Sequence, residues 1–166
     1  MKIHGPAAIA LAAFLLAACE NPNKSTVATD ASDIVDRISI TQVNVRTTAE
    51  TPWPSLEQRV KARLEERLDY CAQGVLPHQM EVTIVNYKRG SSGEALLIGS
   101  GASIEGRVKL TPVASDEIVG DYYVREGFAA GGLIGVLAMA DSAGGLSVRF
   151  ADRVCEDIFD VKVPLQ

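Results

Sequence analysis

An uncharged apolar run from Ala7 to Ala17, closing on Leu16-Ala17-Ala18-Cys19, limits which part of this chain can fold. Lys2 stands ahead of it as a positive charge that stays on the cytoplasmic side. The run is 11 residues long, whereas a membrane-crossing helix needs about 20. It therefore reads as the core of an export signal spanning residues 1–18 rather than as a span. Leu16 occupies a position where an ordinary secretory cleavage site wants a small residue, so the plain secretory reading does not fit.

The order Leu16-Ala17-Ala18-Cys19 resembles the lipobox of bacterial lipoproteins. That resemblance implies removal of residues 1–18, a thioether-linked diacylglycerol on Cys19 and a fatty acyl group, of the palmitate kind, on its amine. Each buried CH₂ contributes about 0.8 kcal/mol, so several chains together make a stable anchor. Glu20 follows, where an aspartate would resemble an inner-membrane retention signal. The resemblance thus implies delivery to the outer membrane, with the protein facing the periplasm.

From Cys19 onward 148 residues remain, enough for one domain. They carry 15 basic and 21 acidic residues, a net charge near −6 that argues against a nucleic-acid partner. After residue 19 the longest apolar stretch, 128–140, stops at 13 residues, so the lipid is the membrane attachment the sequence predicts. With Cys19 lipidated, two cysteines are left. In an oxidising periplasm that remainder suggests a Cys71–Cys155 disulfide; two buried free thiols are the alternative.

Residues 19–36 are polar and short of large apolar groups, and read as a lipidated flexible tether ahead of a domain over 37–166. Ile38 and Ile40 alternate, then Val43 and Val45 alternate on the other parity, which predicts a strand with a bulge near Gln42. Ser55 is placed to cap a helix, with Gln58 as its capping-box partner. Leu56, Val60, Leu64 and Leu68 then give one apolar stripe, with Cys71 in line. Three strands follow, over 79–88, around Ile104–Leu110 and around Ile118–Arg125, joined by turns at 89–93 and 115–117 as an antiparallel meander. Residues 128–145 are rich in glycine and alanine without a sharp period. Leu146, Phe150, Val154 and Ile158 mark a last helix, and Val161, Val163 and Leu165 suit a short final strand. The expected fold is α+β: a mixed, mainly antiparallel sheet of four to five strands with two helices on one face, in the order β-α-β-β-β-α.

Candidate chemistry is sparse. Gly99-Ser-Gly101-Ala-Ser-Ile-Glu-Gly106 lacks a following helix and a Gly-Lys-Ser/Thr, so it reads as a glycine bulge in a bending strand rather than as a phosphate loop. His78 is the one histidine past the signal segment and reads as a surface residue. No Cys/His spacing suits a metal and no G-x-S-x-G elbow occurs, so no cofactor, metal or catalytic residue is expected. Asp152, Glu156, Asp157 and Asp160 crowd the last helix. They read as a solvated face, with paired-carboxylate hydrolysis as the enzymatic alternative. The segment 128–145 reads either as close packing on the sheet or as an apolar surface for a partner or the membrane.

Over about residues 80–158 the chain resembles a group of bacterial lipoproteins, the domain of unknown function 4410 group. The carriers are the turn Lys88–Gly93, the segment Gly99–Ser103, the strand pair Ala102–Phe128, the stretch Gly131–Gly135 and the closing helix Ala143–Phe159. Ser115-Asp116-Glu117 lacks the glycine usual in that group. The resemblance implies an α/β sandwich similar to the small domain of TolB-like envelope proteins, and brings no activity or catalytic residues. The functional expectation is a non-enzymatic envelope lipoprotein, anchored at Cys19, that binds or scaffolds another envelope component. The alternative is a subunit of an envelope assembly or secretion complex, with 128–145 as its contact surface.

Overall fold

A step of four from Leu56 through Val60 and Leu64 to Leu68 gathers one apolar stripe, and all four side chains are buried. In the computed structural model, which describes residues 26–50, 53 and 55–162, this helix is α1 (Leu56–Cys71). The second stripe, Leu146, Phe150, Val154 and Ile158, forms the inner face of α4 (Ser142–Phe159). The two helices lie side by side and run the same way. Arg59 Nη1 meets Asp141 Oδ1 at 3.2 Å near their starts, and Arg67 Nε lies 2.7 Å from Asp152 Oδ1 further along. A disulfide joins Cys71 to Cys155 near their ends, with Cα atoms 5.7 Å apart.

Both helices cover one face of a five-stranded sheet made of β1 (Thr26–Thr29), β2 (Ile38–Thr47), β3 (Leu76–Lys88), β4 (Ser100–Pro112) and β5 (Gly120–Ala130). The spatial order is β1-β5-β4-β3-β2. Helix α1 carries the chain from β2 to a parallel β3, and β3, β4 and β5 form an antiparallel meander with β1 added antiparallel at its edge. Alternation sends Met80, Val82, Ile84, Ile104, Val108, Leu110, Tyr122 and Val124 under the helices. The fold is α+β with a mixed, mainly antiparallel sheet. Its bulge in β2 sits between Ile40 and Gln42, where the parity of the apolar residues changes.

Several local expectations need correction. The stretch read as a tether up to residue 36 is structured from Thr26 onward. Thr26 and Val27 pair with Tyr123 and Tyr122, and Ala31 is buried, its N–H donated to the Tyr122 hydroxyl at 2.8 Å. A 3₁₀ turn (Val35–Arg37) then leads into β2. His78 is not on the surface but 2 % exposed. The strand begins at Leu76, so parity places His78 on the covered face with Met80, its Nδ1 2.8 Å from the Leu76 carbonyl oxygen. Ser55 stands at the start of α1 in a left-handed conformation (φ 64°), and its side chain makes no cap hydrogen bond. The irregularity expected around Gly99–Gly106 falls instead on the partner strand, between Ile84 and Asn86. Val161 and Lys162 are not in a strand, and the rest of the expected final strand lies outside the described residues.

Two short helices replace stretches expected as turn and irregular chain: α2 (Ser92–Leu97) between β3 and β4, and α3 (Gly132–Ala140) after β5. Strands β3 and β5 both end at the side of the sheet where β4 begins, so α2 and α3 meet there as a common tip.

Candidate interaction surface

Helix α3 is built with its small residues inward. Gly135 is buried, and a Cβ placed on it would stand 2.8 Å from the Ala130 carbonyl carbon and 3.2 Å from the Ala95 Cβ. A glycine there lets α3 close on β5 and α2. Met139, 1 % exposed, reaches under the chain at Gly90, where an added Cβ would collide with its Sδ. The Ser92 hydroxyl donates to the Val136 carbonyl at 3.3 Å, tying the two short helices together.

Apart from Met139, the large aliphatic residues along both helices point mostly the other way. Leu133, Ile134 and Leu137 are 77–79 % exposed, and Leu96, Leu97 and Ile98 are 52, 82 and 87 % exposed. Burying an aliphatic side chain of this size is worth about 1.5–3 kcal/mol. The fold leaves that gain unrealised six times in one place, whereas scattered surface leucines need no explanation. No charged residue occurs between Glu94 and Glu105 or between Glu126 and Asp141. The tip is thus the meeting point of two charge-free stretches.

The opposite face of the sheet has a different chemistry. Register aligns Arg46, Thr83, Arg107 and Tyr123 in one row and Asn44, Glu81, Lys109 and Asp121 in the next. Arg46 pairs with Glu81 at 2.6 Å, and Arg107 clasps Asp121 through two hydrogen bonds of 2.6 and 2.5 Å. Arg125 pairs with Glu105 at 3.2 Å, and the Tyr123 hydroxyl donates to the same carboxylate. Burial and that carboxylate push the Tyr123 phenol up to about 12. Charges here are largely matched within the face.

The acidic residues of α4 are matched as well. Asp152 is beside Arg67, whose guanidinium is buried; the N–H does not point along the contact, so the pair is ionic rather than hydrogen-bonded. Arg153 gathers Glu126, Glu156 and Asp157 at 3.1, 2.9 and 3.8 Å. Asp160 ends the helix, exposed and with φ at 53°. The groove between β5 and α4 is lined by Glu126, Arg149, Asp152, Arg153 and Glu156. Acid–base hydrolysis wants two carboxyls facing one space, and these turn to arginines.

Of the sequence-derived site residues, the structure brings Cys71 and Cys155 together, and Cys19 lies outside the described residues. The outward Leu96 and Leu97 of α2, with Ile98 just past its end, carry no periodic signal in the sequence; the charge-free stretch after Glu94 is the signal available. Among the described residues no single helix is long and apolar enough to cross a membrane.

No protein-family model and no curated protein sequence matches the chain. The resemblance to the domain of unknown function 4410 group therefore rests on its residue pattern alone. Among solved structures, the chain is similar to the PelC dodecamer from Paraburkholderia phytofirmans at 9 % identity and TM-score 0.46, over 76 % of this chain and 93 % of that one. It is also similar to a minor lipoprotein from Acinetobacter baumannii at 9 % identity and TM-score 0.44, over 74 % of this chain and 93 % of that one. Likeness at this level carries no function across.

Proposed function

We propose that this chain is a non-enzymatic lipoprotein of the cell envelope. Residues 1–18 are removed, Cys19 carries the lipid in the outer membrane, and the domain faces the periplasm, where it binds or scaffolds another envelope component. The observation that carries this reading is the tip: Leu96, Leu97, Ile98, Leu133, Ile134 and Leu137 stand out together on a domain whose α4 carboxylates are mostly tied up in ion pairs. Such a surface suits contact rather than catalysis. The alternative, in which the chain is a subunit of an envelope assembly and 128–145 meets its neighbour, draws on the same exposed side chains and competes with a lipid contact for them.

The test begins at Cys19. Cys19→Ser in the full chain abolishes metabolic labelling with a fatty acid and releases the protein from the membrane fraction; persistent labelling overturns the anchor. Cross-linking of the lipidated protein in whole cells, followed by mass spectrometry, then identifies the envelope component it contacts.

A further inference from the structure

The course of β1 bears on what covers the tip. It pairs antiparallel with β5, Thr26 opposite Tyr123 and Thr29 opposite Asp121, so the Thr26 end of β1 faces the Ala130 end of β5. That is the end from which α3 begins. From Tyr123 to Ala130 the strand rises about 23 Å at about 3.3 Å per residue. Cys19 lies seven residues before Thr26, a reach of at most about 25 Å. A lipid on Cys19 can therefore reach the level of the tip and hardly past it.

We propose that the α2–α3 tip rests in the lipid bilayer surface, its six exposed aliphatic side chains entering the boundary between headgroups and acyl chains. The proposal rests on the reading of Cys19 as the lipidated residue. A short link from that residue holds the tip against the membrane and raises its local concentration there. Helices of 6 and 9 residues are about 9 and 14 Å long, so they lie in the interface and do not cross. Beside them, at the end of β3, Lys88 and Arg89 are exposed, and the Arg89 guanidinium lies 3.8 Å from the Trp53 ring centroid. Cations flanking an apolar surface suit anionic headgroups. A lipid surface thus meets both the apolar tip and its basic margin.

The experiment uses the full-length lipoprotein purified from membranes, with mass spectrometry confirming lipid on Cys19. It is reconstituted into phosphatidylethanolamine–phosphatidylglycerol vesicles containing brominated acyl chains. In a Trp53→Phe background, indole fluorescence from Leu137→Trp falls about twofold or more, while that from Gln79→Trp, far along the open sheet face, is unchanged. Equal fluorescence in both overturns the proposal. So does shielding of the Leu137→Trp indole without vesicles when copies of the chain cross-link to one another, which assigns the tip to self-association. A second arm separates the tip from the anchor. Unlipidated Cys19→Ser protein floats weakly with the same vesicles, and Leu133→Gln, Ile134→Gln and Leu137→Gln together lower that binding about tenfold or more. Equal flotation of the two overturns the tip. Absence of lipid on Cys19 overturns the anchor, and this comparison still decides the tip.

Discussion

Gly106 of β4 faces the ring of Phe150 of α4 so closely that a Cβ on the glycine would stand 2.8 Å from Cζ and 3.2 Å from Cε2. Phe150 is fully buried, so its ring has nowhere to retreat. Gly106→Ala should therefore destabilise the domain by about 1–3 kcal/mol through overpacking. Phe150→Leu in the same chain should recover part of that loss, because the smaller side chain vacates the contact. Urea unfolding of the two single variants and the double variant reads the coupling. Simple additivity would mean that the two residues do not share the space.

The disulfide between Cys71 and Cys155 ties residues 84 positions apart. In the chain-entropy account, a loop of that size contributes about 4–5 kcal/mol by restricting the unfolded chain. Cys71→Ala with Cys155→Ala should lower the denaturation midpoint accordingly and make it independent of reductant. The unchanged protein should lose midpoint only once a reductant is added. Cys155 is fully buried, so reduction should become rapid only where the domain opens.

Helices α1 and α4 and the meander are legible because their apolar residues repeat at steps of four or two, and the covered sheet face enforces that repeat. Val43 and Val45 gave away the bulge by changing parity after Ile40. Strand β1 gave no such signal: Thr26–Thr29 is four residues long and exposed throughout, so no burial pattern is imposed on it. His78 reads as exposed because the strand starts at Leu76, four residues before Met80 opens its run of alternating apolar residues. In α3 the usual rule is inverted. Gly135 faces the domain while Leu133, Ile134 and Leu137 face outward, so hydrophobicity does not distinguish the two sides. The tip was therefore foreseen only as a choice between close packing and an apolar surface, and both turn out to be present.

Met139 is the large side chain by which α3 holds the domain, buried against Gly90. Met139→Ala should leave a cavity and cost α3 about 2–5 kcal/mol of local stability. Hydrogen exchange followed by mass spectrometry should show faster exchange over residues 132–140. The strands β3 to β5 should keep their protection, because their core lies under α1 and α4. Loss of protection throughout the sheet would mean that the tip and the sheet open as one unit.

Asp121 gives the open face a defined pH response. Hydrogen bonding from Arg107 holds its carboxyl below the ordinary range, against a smaller opposing effect of burial. A group with a depressed folded pKa binds its proton less readily than the unfolded chain does. Its contribution is therefore complete above about pH 4, the unfolded value, and is lost as pH falls through the folded one. Arg107 is half exposed, so solvent screening keeps the effect modest. Acid unfolding of the unchanged protein should accordingly be steeper in pH than that of Asp121→Asn, whose amide does not titrate. The variant should be less stable at neutral pH, and the two curves should draw together as the acid limit is approached. Parallel curves from pH 7 downward would show that the Arg107–Asp121 pair makes no pH-dependent contribution to stability.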